Sequence, residues 1–294
     1  MFSVKKGIRA EEVRQKSQHV LFVEGQNDNS LDPKVLNELF ENGIRIVPLG
    51  PSYSVKSVAE ALYPHHPTYY FLIDRDHHHD DFVDQCWVNF PNPASHNLLV
   101  WRRREIENYF LDVDYLSQSM YCQVSPEELK KEIVRSASER LFLDVANHVV
   151  TSIREEFKRN WIEKFNNLTE FASQGAALQK LKSESKFANF HERVGTAVSE
   201  IDIERRFVDY LSKMTGGKES LSFGSGCWLH MTHGKRVLAQ VINSGCFRVQ
   251  ATDGNLLKGK DKVYQVVREL LQKGIDYQPN DFQQLKHLIQ SRTT

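Results

Sequence analysis

Two aspartates spaced one residue apart, Asp74 and Asp76, follow an apolar run from Tyr69 to Ile73. This run has the length and composition of a buried parallel strand. Ligands of open α/β sheets bind beyond the carboxyl ends of the strands, and side chains two residues apart in an extended chain share a side. Two such carboxylates repel by roughly 4 kcal/mol at about 4 Å and an effective dielectric near 20. A divalent cation would offset that repulsion, whereas a solvated, Asp-rich turn is the alternative interpretation.

Acidic residues follow two further strand-like runs. Glu24 and Asp28 flank Gly25 after the run His19–Val23, and two glutamates follow the run 97–101. Three acidic strand ends in one small sheet predict a shared metal site, with these candidate ligands: Glu24, Asp28, Asp74, Asp76, Glu105 and Glu107. If the segment 105–107 is helical, only one of its two glutamates would be a ligand, because helix positions two apart point differently.

A metal site of this kind is suited to phosphodiester cleavage. Carboxylate ligands favour Mg²⁺ or Mn²⁺, and metals held this way can polarise a phosphate, activate a water and neutralise a leaving oxygen. Glu24 would be either a ligand or the general acid/base. Lys235 follows Gly234 at the start of an apolar helix, where it can bind an anion and stabilise developing charge. A capped helix with a surface lysine is the alternative.

A run of three arginines and a run of three histidines invite functional interpretations. Arg102, Arg103 and Arg104 can bind a nucleic-acid backbone, although a solvated charge run is the simpler interpretation. The segment 77–81 (His-His-His-Asp-Asp) suggests a zinc or manganese site. Three adjacent histidines cannot all point at one ion, so an exposed loop is favoured, with His77 as a possible orienting group for a carboxylate or phosphate.

Strand and helix patterns alternate over the first part of the chain. Apolar runs predict four strands, and amphipathic segments from Asp32 to Phe40 and from Ser54 to Leu62 predict the helices between them. The strands are predicted at His19–Val23, Ile44–Leu49, Tyr69–Ile73 and Asn97–Trp101. This alternation indicates βαβ units and an α/β fold with a parallel sheet flanked by helices.

The remainder of the chain predicts a largely helical second lobe. Charged and apolar residues alternate at three- and four-residue spacing from Pro126 to Met214. Residues 215–259 are Gly-rich, and two amphipathic helices follow from Asp261. The predicted domains are an N-terminal arm at 1–17, a catalytic domain at 18–120 and a mainly helical domain at 121–294, with residues 221–250 packing back near the site.

Composition limits the classes of partner. Lysine plus arginine equals aspartate plus glutamate, 38 each, so nucleic-acid binding requires a local basic patch. The four cysteines form no C-x-x-C pair, which is typical of free thiols in a reducing compartment. No apolar stretch approaches the roughly eighteen residues of a membrane span, and the N-terminus has no apolar signal core. We expect a cytoplasmic protein with no membrane partner.

Three segments together resemble the TOPRIM fold. They are Val23-Glu24-Gly25-Gln26-Asn27-Asp28, Asp74-Arg75-Asp76 and Arg104-Glu105-Ile106-Glu107-Asn108-Tyr109, within residues 18–116. The variant they resemble is that of OLD-type nucleases and the DUF4435 group, and Gly234-Lys235 is similar to the Gly-Lys element of OLD-like proteins. The segment Asn29-Ser30-Leu31 lacks the aromatic residue often present in relatives, which affects substrate contacts nearby.

Within that group, the length of the chain and its lack of a Walker A sequence resemble the AriB-like nuclease subunits of the PARIS phage-defence system. The resemblance implies a Rossmann-like sheet and a Mg²⁺- or Mn²⁺-dependent nuclease with catalytic Glu24 and Lys235. It also implies RNA cleavage, for example of tRNA, on release from a separate ABC-type ATPase, and a homodimer when active. Composition supports none of these features independently.

Four other functions fit parts of the pattern. A DNA-cleaving OLD-like nuclease would use the same residues, and a non-catalytic sensor or scaffold subunit of an ATPase complex would keep the fold alone. A haloacid-type phosphatase requires Thr or Val where His78 stands. A glycosyltransferase using Asp74 and Asp76 for Mn²⁺ leaves the Glu-Gly-x-x-Asp element unexplained.

Overall fold

The computed structural model describes residues 19–25, 30–62, 65–76, 78–92, 97–159 and 168–292. The chain divides into two compact units, the first formed by Met1–Ile133 with His233–Thr294 and the second by Val134–Thr232. The predicted arm at 1–17 lies outside the described residues, as do Asp28 and His77.

A four-stranded parallel sheet forms the centre of the first unit, in the strand order β2-β1-β3-β4. Every residue of β3 is buried, as expected for a parallel strand covered on both faces. The strands are β1 (Val20–Val23), β2 (Arg45–Pro48), β3 (Tyr69–Ile73) and β4 (Leu98–Val100). The predicted α/β fold with a parallel sheet is confirmed.

The predicted strand at Asn97–Trp101 is shorter in the structure because Asn97 leaves the extended conformation. Asn97 has a φ of 48°. Its buried side-chain amide donates to the carbonyl oxygens of Pro67 and Tyr69, at 3.0 and 2.9 Å. The residue therefore ties the loop before β4 to the start of β3.

Helices cover the sheet and extend the first unit. Helix α1 packs against β2, α2 against β3 and α3 against β4. The helices preceding the second unit are α1 (Leu31–Leu39), α2 (Ser52–Leu62), α3 (Asp80–Asn89), a 3₁₀ helix (Ile106–Leu111), α4 (Val113–Leu116) and α5 (Pro126–Ser138), which runs across the boundary at 133.

The second unit is helical in its described residues, which confirms the predicted helical character of this region. Helix α6 packs along α9, where the Arg206 guanidinium donates to Glu156 at 2.6 Å and to Asp202 at 2.5 Å. The elements are α6 (Leu141–Arg159), a 3₁₀ helix (Leu168–Phe171), α7 (Gln174–Ser183), α8 (Ser185–Ala197), α9 (Glu200–Thr215) and α10 (Trp228–Met231).

The C-terminal helices belong to the sheet unit, which differs from the predicted division at residue 120. Phe282 of the last helix is fully buried against Trp101, Tyr109 and Phe110 at the end of the sheet. Burial of the apolar side chains of the last helix against the end of the sheet removes them from water, which stabilises this arrangement. The elements are α11 (Gly234–Asn243), α12 (Gly259–Leu271), a 3₁₀ turn (Ile275–Tyr277) and α13 (Asn280–Gln290).

No helix among the described residues has both the length and the apolar character needed to cross a membrane. All four cysteines are free thiols of intermediate exposure.

Candidate functional site

The candidate site lies at the carboxyl ends of β1 and β3. From β1 the chain passes to β2 on one side of β1 and then to β3 on the other side. The order in which strands are added therefore changes direction between β1 and β3. Such a reversal opens a crevice that commonly binds ligands. Glu24 follows β1 and Asp74 follows β3, and the Asp74 backbone N–H donates to Glu24 Oε1 at 3.0 Å. The structure thus brings these two predicted residues together.

Gly25 turns the chain immediately after Glu24. Its φ is 138°, a conformation that a residue with a side chain rarely adopts. Gly25 and Gly50 exchange two backbone hydrogen bonds, of 3.0 and 2.7 Å, which join the ends of β1 and β2. The Glu-Gly pair is therefore a strand end followed by a fixed turn.

Two carboxylate oxygens of the site are buried without a hydrogen-bond partner among the described residues. They are Asp74 Oδ1 and Glu107 Oε2. Glu107 as a whole is only 2% exposed. An unpaired buried carboxylate is costly unless it is neutral or meets a cation. These two oxygens mark a place where positive charge would be stabilising.

The pKa values of these two buried carboxyls are raised, because the carboxyls are buried and lie near other carboxyls. Burial, followed by the charges of Asp32, Glu24 and Glu107, raises the pKa of Asp74 well above its usual value. Burial raises the pKa of Glu107 to about 8, with Asp32 adding to the shift and Lys235 opposing it. The site carries more negative charge than its own residues neutralise.

Glu24 has a pKa near neutrality. Burial raises its pKa to about 7, and the Asp76 carboxylate adds to the shift, while the Asp74 backbone N–H and Lys56 work against it. Asp76 is exposed and takes a positive φ of 44°, so it sits at the outer side of the turn after β3. A carboxyl with this pKa exchanges protons readily at pH 7, as a general acid/base must.

Asp32 belongs to the site although the sequence patterns did not select it. It stands in the first turn of α1, the helix that follows β1. Burial raises its pKa, and Lys235 opposes that shift. Asp32 is also the strongest charge acting on both Asp74 and Glu107. Asp32 lies inside a helix and does not directly follow a strand, so the pattern of acidic strand ends does not include it.

Glu105 and Glu107, both predicted as ligands, make different contacts. Glu105 Oε2 accepts from the Lys235 backbone N–H at 2.8 Å and lies 3.1 Å from His233 Nδ1. Burial disfavours its charged form, but these hydrogen bonds outweigh burial and lower its pKa. Glu105 thus caps the N-terminus of α11, whereas Glu107 faces the carboxylate cluster.

Lys235 is the cation of the site. Its Nζ lies 3.7 Å from Glu107 Oε1, and its side chain remains 55% exposed. Burial disfavours the ammonium, but Glu107, Asp32 and Glu105 outweigh burial and raise the pKa of Lys235. A charged, accessible lysine beside the cluster can reach a phosphate.

Gly234 allows α11 to approach the 3₁₀ helix. A Cβ at this position would lie 2.3 Å from Asn108 Oδ1 and 2.8 Å from Asn108 N. The same Oδ1 accepts from the Glu105 backbone N–H at 3.0 Å. In the Gly-Lys pair, the glycine thus allows close packing against Asn108, and the lysine places a positive charge beside Glu107.

Two of the three arginines predicted to bind nucleic acid already have partners inside the protein. Arg102 Nη1 donates to Asp281 Oδ1 at 2.6 Å, and its guanidinium lies 4.0 Å from the centre of the Trp87 ring. Arg103 Nη1 donates to the Asn108 carbonyl at 2.7 Å. These contacts give both residues a structural role. Arg104 lies close enough to Glu105 to lower its pKa, and nucleic-acid binding at Arg104 stays a prediction.

The described residues of the 77–81 segment do not converge on one point. His78 Nε2 lies 2.8 Å from Lys56 Nζ, His79 is the N-cap residue of α3, and Asp80 pairs with Arg75. These separate contacts show no common ligand site for His78, His79 and Asp80, and the segment enters α3 at Asp80.

Within the described ranges, no three His, Cys, Asp or Glu side chains form a preorganised group that could hold a metal ion. Asp28, a predicted ligand, lies outside those ranges. The Asp32 carboxylate lies close enough to those of Asp74 and Glu107 to raise the pKa of both, and one oxygen of each of these two has no partner among the described residues.

No protein-family model matches this chain, and comparisons with curated proteins and with solved structures give no significant match.

Proposed function

We propose that the protein is a metal-dependent nuclease of the TOPRIM type that cleaves phosphodiester bonds at the carboxyl ends of β1 and β3. The observation that supports this most directly is a pair of buried oxygens with no partner among the described residues, Asp74 Oδ1 and Glu107 Oε2, beside the exposed ammonium of Lys235.

The carboxylates fit Mg²⁺ or Mn²⁺. Their donors are hard oxygens, two of them unsatisfied, and raised carboxyl pKa values indicate that a dication would relieve repulsion. Asp74, Glu107 and Asp32 would hold the ion, with Asp28 and Asp76 as further candidates. Bound there, the ion would polarise the scissile phosphate and lower the pKa of an attacking water.

Residues of the chain would carry out proton transfer and charge stabilisation. Glu24, with a pKa of about 7, would accept the proton of the attacking water. The Asp74 backbone N–H holds the Glu24 carboxylate in place at 3.0 Å. Lys235 would contact a non-bridging phosphate oxygen and stabilise the charge that develops in the transition state.

The substrate and partner follow from the resemblance to AriB-like subunits and are part of the same proposal. The substrate would be RNA, such as tRNA, and an ABC-type ATPase would hold the nuclease inactive until phage infection. The contacts of Arg102 and Arg103 within the protein leave Lys235 and Arg104 as the basic groups proposed to meet the nucleic-acid backbone.

Incubation of the purified chain with total tRNA, single-stranded RNA and plasmid DNA tests the proposal. We expect cleavage with Mn²⁺ or Mg²⁺, none in EDTA, and a preference for RNA. Glu24→Ala should abolish cleavage while the protein stays folded, because Glu24 adds repulsion and not core packing. Glu128→Ala, which removes a glutamate bonded to Ser125 at the start of α5, is the matched control and should remain active. Cleavage in EDTA, or by the Glu24 variant, would contradict the proposal.

A further inference from the structure

Glu105 combines high local burial with a carboxylate oxygen that is already committed to two donors. Its side chain is 12% exposed. Oε2 accepts from the Lys235 backbone N–H at 2.8 Å and lies 3.1 Å from His233 Nδ1. A carboxylate with two donors on one oxygen loses those bonds if it turns that oxygen towards an ion.

The surroundings of Glu105 fix its position independently of any ligand. Its backbone N–H donates to Asn108 Oδ1 at 3.0 Å, at the start of the 3₁₀ helix. Gly234 packs so closely on the same amide that a Cβ would overlap it. The 3₁₀ helix and the first turn of α11 are therefore held together through Glu105, Asn108 and Gly234.

This contact determines the position of the Lys235 backbone. The backbone of Lys235 is bonded to Glu105, and its ammonium lies 3.7 Å from Glu107, two residues further along the same segment. Glu105 is the N-cap of the 3₁₀ helix and Glu107 lies in its first turn, and their carboxylates contact different parts of Lys235. One of them thus fixes the main chain of the lysine and the other meets its side chain.

We propose that Glu105 is a positioning residue for Lys235 and not a metal ligand. It anchors the first turn of α11 so that the Lys235 ammonium stands beside Glu107 and the substrate phosphate. The inference rests on the proposed nuclease function, and it assigns the two glutamates of the Glu-x-Glu pair to different tasks. Loss of the anchor displaces the lysine, and a displacement of about 1 Å costs roughly 100-fold in rate.

Four variants of the full-length chain test the assignment: Glu105→Ala, Glu105→Gln, Glu107→Gln and Glu128→Ala. Three quantities are measured for each: hydrogen exchange of the Lys235 amide, Mn²⁺ affinity by calorimetry, and kcat and KM for cleavage of total tRNA. The first two need no enzymatic activity. Glu128 caps a different helix and controls for the loss of any capping glutamate.

For Glu105→Ala we expect faster exchange of the Lys235 amide and a kcat lowered about 10- to 100-fold, with KM and Mn²⁺ affinity changed less than about twofold. Glu105→Gln keeps a carbonyl acceptor and should restore most of the amide protection and of kcat. Glu107→Gln should weaken Mn²⁺ binding at least about 10-fold while leaving the Lys235 amide protected. Glu128→Ala should match the wild type in all three.

An unchanged kcat in Glu105→Ala would overturn the positioning role, and a loss of Mn²⁺ affinity in Glu105→Gln equal to that of Glu107→Gln would make Glu105 a ligand. If Glu105→Ala does not fold, Glu105→Asp, which withdraws the carboxylate by one methylene, takes its place with the same expectations. If the wild type does not cleave nucleic acid, the proposed function fails, and amide exchange and Mn²⁺ binding still decide the role of Glu105.

Discussion

Asp74 lies where a negative charge is unfavourable. One of its oxygens is buried without a partner among the described residues, and burial, followed by the charges of four neighbouring carboxylates, raises its pKa. Removing that charge should stabilise the metal-free protein, since the repulsion is absent from the unfolded chain. The same removal should weaken metal binding.

For Asp74→Asn we therefore expect the free energy of unfolding at pH 8 without metal to rise by about 1–2 kcal/mol. The Mn²⁺ affinity should fall. Denaturant titration and calorimetry measure the two quantities. Asp276→Asn is the control, because Asp276 is exposed and its substitution should change stability by less than about 0.5 kcal/mol. Unchanged Mn²⁺ affinity in Asp74→Asn would show that Asp74-Arg75-Asp76 is only a turn.

Substitution of Gly234 tests the close packing between α11 and the 3₁₀ helix. A Cβ would lie within 3 Å of three atoms of Asn108, so Gly234→Ala must displace either α11 or the 3₁₀ helix. We expect a loss of about 1–3 kcal/mol in the free energy of unfolding and reduced activity. Gly245→Ala, where the added Cβ meets no atom within 4 Å, should be nearly neutral. Equal stability of the two variants would contradict the close packing.

At the scale of elements, α13 fixes the segment that follows β4. Asp281 accepts from Arg102 Nη1 at 2.6 Å and from the Tyr109 hydroxyl at 2.5 Å. The same hydroxyl accepts from the backbone N–H groups of Arg102 and Arg103. The last helix of the chain thus supports the loop that leads to Glu105 and Glu107.

Asp281→Ala should lower the free energy of unfolding by about 2–4 kcal/mol, because it removes the charged acceptor of the Arg102 guanidinium and of the buried Tyr109 hydroxyl. Truncation of the exposed Asp276 to alanine serves as the comparison. Thermal or denaturant unfolding measures both variants. A loss below about 1 kcal/mol would mean that the Asp281 contacts contribute little.

At the scale of the whole molecule, crowded carboxyls make stability depend on pH. The pKa of Glu24 is raised to about 7 and that of Glu107 to about 8, both from ordinary values of 4.5. Between pH 4.5 and 8 the unfolded chain has released protons that the folded protein keeps. Stability without metal should therefore fall as pH rises through this window and level off above it.

Added Mn²⁺ should stabilise the protein more at pH 8 than at pH 5, since its ligands must be deprotonated. Unfolding curves at both pH values, with and without the ion, measure this difference. The double variant Glu24→Gln, Glu107→Gln should flatten the pH dependence. A stability that rises with pH in the wild type would contradict the raised pKa values.

The second unit exposes large apolar side chains on two helices that pack together. Phe142 on α6 is 65% exposed, and Ile201 on α9 is 82% exposed. Under the proposed function, this helical region supplies surfaces for a second copy of the chain and for the ATPase.

The isolated chain should then be a homodimer by light scattering, and Phe142→Ser with Ile201→Ser should weaken self-association or co-purification with the ATPase of its native host. Val88→Ser, at an equally exposed apolar residue on α3, is the control. A strictly monomeric chain that recovers no ATPase would refute both partners.

The sequence by itself determined the parallel sheet and the elements that position the site. Buried runs such as Tyr69–Ile73 and the turn at Gly25 are local signals, because strand length, periodicity and glycine conformation are set by neighbouring residues. The pairing of Glu24 with Asp74 also followed, since parallel strands bring their carboxyl ends to one edge.

Only the tertiary structure decided which charged residues share a partner. Asp32 joins the cluster from a helix, Glu105 turns to the backbone of Lys235, and Arg102 pairs with Asp281, 179 positions along the chain. Local patterns fix backbone conformation. The direction and protonation of a buried side chain depend on whichever distant segments pack around it.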